Sequence, residues 1–100
     1  MMRTYVPRAS RVDLDIPVRY RVANGTDWFH TTAVNMSESG ILFGPTNVRE
    51  GTEIEIIMVI PKSIDELPAG EHFFVGEVVR TTGAGAAAAA FHEKRFLLET

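Results

Sequence analysis

"AAAAAFHEKRFLLE", residues 86–99, is the stretch whose reading decides the fold. Alanine has the best intrinsic helix propensity, so the run by itself reads as a C-terminal helix of about three or four turns. The chain ahead of it argues otherwise. Five segments before residue 86 carry strand signals, and five strands leave a sheet edge that a further element has to cover. Tertiary context of this kind overrides propensity, so the run is expected to form a sixth strand.

The five segments are read from their alternation. In "IPVRYRVA" (16–23), Ile16, Val18, Tyr20 and Val22 face one way and Arg19 and Arg21 the other, the pattern of a half-buried strand. Asn24-Gly25 is a hairpin signal, because both residues tolerate positive φ. "WFHTTAVNMS" (28–37) is rich in aromatic and β-branched residues and reads as the returning strand. "GILFG" (40–44) is a short third strand closed by Gly44-Pro45. In "TEIEIIMVI" (52–60), Ile54, Ile56, Met58 and Ile60 are expected inward, Glu53 and Glu55 outward. "PKSIDELPAG" (61–70) is a loop: Ser63 and Glu66 have capping-box spacing, but Pro68 limits any helix to about one turn. "HFFVGEVVRTT" (72–82) is a fifth strand whose Gly76 marks a bulge or a close backbone approach. Short strands joined by tight turns imply an all-β protein with little helix, a small antiparallel barrel or sandwich. Nothing divides residues 16–100, so they are read as one domain preceded by an N-terminal arm, residues 1–15.

Composition narrows the function. One hundred residues make one domain with a modest core. The chain has no cysteine, which excludes disulfides, thiolate metal sites and a cysteine nucleophile and suits a reducing cytoplasm. No apolar run has the length of a signal peptide core or a membrane span, so the expected location is cytoplasmic, without membrane insertion. Residues 1–21 carry Arg3, Arg8, Arg11, Arg19 and Arg21 against Asp13 and Asp15, a balance of +3, and the rest of the chain carries −6. An acidic body argues against DNA or RNA as partner. A basic arm on that body points to a small anionic target.

Catalysis finds no support. No serine sits in a G-x-S-x-G elbow. His30, His72 and His92 are scattered singly, without metal-ligand spacing, and Glu53 and Glu55 read as a solvated strand face. No enzyme, cofactor or metal is expected. Binding is better supported. Arginine joins a fixed charge, forked donors for phosphate and a flat face for stacking on bases. In "NMSESG" (35–40), Asn35 and Ser37 project to one side of a strand, and Gly40 lets a ligand approach the backbone. The segment reads equally as a plain strand-end turn and as a polar ligand edge.

"PRASRVDLDIPVRY" (7–20) followed by "NMSESGILF" (35–43) resembles the PilZ family, with "GEVVR" (76–80) and "RFL" (95–97) similar to its later strands. The resemblance implies a six-stranded antiparallel β-barrel that binds cyclic di-GMP, with an R-x-x-x-R segment before strand one and a [D/N]-x-S-x-x-G segment ending strand two. Asn35, Ser37 and Gly40 match the second motif. Arg11 matches the second arginine of the first, but Pro7 stands at the place of its partner and Arg8 follows one position late. The implied site is Arg8, Arg11, Asn35, Ser37 and Gly40, with the arm closing over the nucleotide. A charged hydrogen bond lost at Pro7 is worth about 1.5–3 kcal/mol, roughly ten- to a hundredfold in affinity. The alternative is therefore a degenerate PilZ-like barrel that works as a protein-interaction module.

Overall fold

The alternation of apolar and polar residues produces six strands: β1 (Val12–Val22), β2 (Phe29–Ser37), β3 (Gly40–Gly44), β4 (Glu53–Ile60), β5 (Gly70–Thr81) and β6 (Ala87–Leu98). The computed structural model describes residues 12–64 and 66–98. The strands close into an antiparallel barrel in the order β1-β2-β3-β6-β5-β4, with β4 returning to β1 through the register Val18↔Met58 to Val22↔Ile54. Among the described residues there is no helix, hence none long and apolar enough to cross a membrane.

One face of each strand fills the interior. Ile54, Ile56, Met58 and Ile60 of β4 are buried, as are Ile16, Val18 and Tyr20 of β1. Val22, the last residue of β1, is 42% exposed, so the inward series of that strand stops one step earlier than its alternation implies. β1 also starts at Val12, which makes residues 12–15 part of the barrel and shortens the arm expected to run to residue 15. Asn24 has the positive φ of 68° that its turn requires.

The alanine run is a strand because it is central. Phe43 and Ala87, Leu42 and Ala88, and Ile41 and Ala89 are register partners on one side, and β5 pairs with the same residues on the other. Ala87 and Ala89 are buried against the core that holds Phe43 and Phe74. Small side chains on one strand leave interior space for large ones on its neighbours, the usual arrangement of a narrow barrel. Backbone hydrogen bonds on both sides outweigh a helix preference that amounts to less than about 1 kcal/mol per residue.

Two glycines let β6 come close. A Cβ on Gly40 would lie 2.7 Å from the Ala89 carbonyl oxygen, and one on Gly76 would lie 2.6 Å from that of Ala90. The register also shifts between Val75 and Gly76, so the expected bulge and the expected close approach are both present. The loop after β4 folds back under the barrel. Ile64 and Leu67 exchange backbone hydrogen bonds of 2.9 and 2.7 Å and bury their side chains. Buried His72 stacks on Phe74 and donates Nε2–H to the Pro68 carbonyl at 2.7 Å.

Candidate functional site

Antiparallel pairing throughout gathers four features at one end of the barrel: the start of β1, the Glu38–Ser39 turn, the loop of residues 61–69 and the end of β6. "NMSESG" supplies the turn. Ser37 and Gly40 are register partners, so the hairpin closes over Glu38 and Ser39 alone.

A bulge decides which way this hairpin faces. Thr31 and Ala33 are buried, and an unbroken strand would put Asn35 inside with them. The register slips between Ala33 and Asn35, Val34 is 41% exposed, and Met36 becomes the next fully buried residue. Asn35 and Ser37 therefore share the outward-facing side of the strand, through a bulge that alternation alone does not announce.

The surroundings of the three motif residues differ. Asn35 is half-buried, flanked by Asp13 of β1 and Leu42 of β3. Ser37 is 2% exposed: its hydroxyl lies 3.0 Å from Ser39 Oγ and accepts the Ser39 N–H at 3.2 Å. Its oxygen thus holds the turn, which is the ordinary employment of serine at such a position. Gly40 is occupied by its close approach to β6. Of the three motif residues, Asn35 is the one left partly exposed.

Val12 pairs with Met36 and Asp13 with Asn35, so the chain enters the barrel beside the motif. Arg11 is bonded to Val12; Arg11 and Arg8 both lie outside the described residues. One cation at this end escaped sequence reasoning. Lys94 Nζ donates to the Glu38 carbonyl at 3.0 Å, and the Phe91 N–H reaches the Ser39 carbonyl at the same distance. Only the β3–β6 register brings residue 94 to residue 38, and no local signal marks it. A groove of ≈ 380 Å³ on the flank of the barrel, lined by Pro17, Arg19, His30, Ile57, Val59 and Glu71 among others, contains none of the motif residues.

The chain thus enters a closed six-stranded barrel beside a polar hairpin. The model of the PilZ domain matches residues 6–95, and the chain belongs to the PilZ domain family. PilZ domains are binding modules, and the family is one of cyclic di-GMP receptors. Among solved structures, the chain is similar to the inhibitor of motility MotI/DgrA of Bacillus subtilis at 16% identity and a TM-score of 0.73. That match covers 95% of this chain but 46% of MotI, so the chain spans about half the length of that protein. It is also similar to the PilZ domain of CeSA from a cellulose-synthesizing bacterium, at 17% identity and a TM-score of 0.62, covering 86% of this chain and 83% of that one. At these identities the likeness is one of fold. No match was found among curated proteins.

Proposed function

We propose that the chain is a cyclic di-GMP receptor whose N-terminal arm closes over the nucleotide at the "NMSESG" end of the barrel. The observation that carries this reading is the pairing of Asp13 with Asn35, beside the bulge that turns Asn35 outward. Arg11 is two residues from Asp13 in the chain. In this reading Arg11 clamps phosphate and stacks on guanine, with Arg8 as a second cation, while Asn35 meets a base edge. Ser37 contributes through the turn it holds, and Gly40 by drawing the turn against β6. Ordering of the arm on the ligand creates the output surface.

The test is calorimetric titration of cyclic di-GMP into the 100-residue chain at physiological salt. A dissociation constant in the micromolar range or tighter is expected, weakened roughly ten- to a hundredfold by Arg11→Ala and less by Asn35→Ala. Absence of heat at high protein concentration, repeated by NMR titration, overturns the receptor reading. The second reading, a barrel that has lost the nucleotide and docks protein partners, is favoured by Pro7 at the missing arginine and by the structural employment of Ser37 and Gly40.

A further inference from the structure

β6 outruns its neighbour. It is paired with β5 from Ala87 to Leu98, but with β3 only from Ala87 to Ala90. One more hydrogen bond, from the Phe91 N–H to Ser39, ends that second ladder. From His92 onward, no strand among the described residues pairs with the other edge of β6. Residues 92–97 are all exposed, including Phe96 and Leu97 at 45% each. The barrel is thus closed along most of its height and carries an open strand edge at one end. Such an edge is a template for another strand, because its N–H and C=O groups point outward in register.

The side chains along the edge select the partner. Glu93 and Arg95 lie two residues apart on the outer face, where Arg95 contacts Phe73 and pairs with Glu93. Their side chains are 45% and 62% exposed, so both are free to exchange partners. An antiparallel strand of the same sequence, related by a two-fold axis through Lys94, sets Glu93 opposite Arg95 of the partner subunit and Arg95 opposite Glu93 of the partner subunit. The same register brings Phe96 opposite His92 of the partner subunit. Lys94 meets its own copy, but its ammonium is drawn away to the Glu38 carbonyl. Centring the axis on Glu93 or on Arg95 instead sets that residue opposite its own copy and loses both opposite-charge pairs.

We propose that the open edge of β6, His92–Phe96, is a homodimerisation edge, joining two barrels through antiparallel β6 strands in the register centred on Lys94. The contact is isologous, as a two-fold dimer requires. It involves few residues on each side, so the dimer is weak and concentration-dependent. The proposal does not depend on nucleotide binding.

The test is sedimentation velocity of the full chain from micromolar to near-millimolar concentration, without nucleotide. Wild type is expected to show a reversible monomer–dimer equilibrium. Glu93→Arg places arginine opposite arginine in both symmetric pairs, and Arg95→Glu places glutamate opposite glutamate. Each variant alone is expected to weaken dimerisation roughly tenfold or more. An equimolar mixture of the two is expected to dimerise as a heterodimer, because every charge then faces its opposite. Circular dichroism of each variant checks that the exposed substitutions leave the barrel folded. A strictly monomeric wild type, single variants that dimerise like wild type, or a mixture that stays monomeric would each overturn the proposal.

Discussion

Gly40 illustrates how one residue serves motif and fold together. Its backbone comes so near β6 that an added Cβ would lie 2.7 Å from the Ala89 carbonyl. That contact is to backbone, which cannot swing aside, so Gly40→Ala is expected to destabilise the barrel by about 1–3 kcal/mol, read by urea denaturation. Any loss of ligand affinity in that variant then reports a displaced turn. His72 poses a different residue-scale question. Phenylalanine keeps the volume and the stack on Phe74 but leaves the Pro68 carbonyl without its donor. His72→Phe is expected to cost about 1–3 kcal/mol, with faster hydrogen exchange at the Leu67 amide as the loop under the barrel loosens. Room for a close approach at Gly40 was legible from "NMSESG", though as room for a ligand. The group that approaches, the Ala89 carbonyl, was not, because the two are 49 positions apart in the chain.

At the scale of the element, β2 and β6 each hold one feature that local pattern hides. The slip at Val34 re-aims the second half of β2, sending Met36 into the core and Asn35 and Ser37 outward. Deleting Val34 would remove the extra residue and leave Asn35 outward and Met36 inward in unbroken alternation, so far-UV circular dichroism is expected to show the barrel still folded. In β6 the strand state follows from pairing on both sides, which also sets how large its inward residues can be. Ala89 is 3% exposed, with Ile41 and Val78 as register partners, so Ala89→Leu is expected to overpack the barrel and cost about 1–3 kcal/mol in thermal or chemical melts.

For the molecule as a whole, closure makes the six strands one cooperative unit. β4 is hydrogen-bonded to both β1 and β5, and its Ile56 is fully buried. Ile56→Ala is expected to lower stability by about 2–5 kcal/mol while leaving a single transition, coincident by circular dichroism and tryptophan fluorescence. Separate transitions would mean that the barrel melts in halves. Closure also explains why the open stretch of β6 stands out: it is the place where the short β3 leaves its neighbour's edge uncovered.

The sequence by itself determined the strands and the family. Period-two alternation, Asn24-Gly25, and "NMSESG" between two apolar runs are local signals, and strand and turn preferences act over a few residues. Even the alanine run was readable once five strands ahead of it demanded a sixth. Tertiary structure alone decided which faces and which distant residues meet. The bulge at Val34 sets which side of β2 carries the motif; the Ser37 hydroxyl is sealed into its turn; Lys94 caps the Glu38 carbonyl across 56 positions of chain. Those outcomes depend on register between strands far apart in sequence, and register is settled by the packing of the closed barrel as a whole.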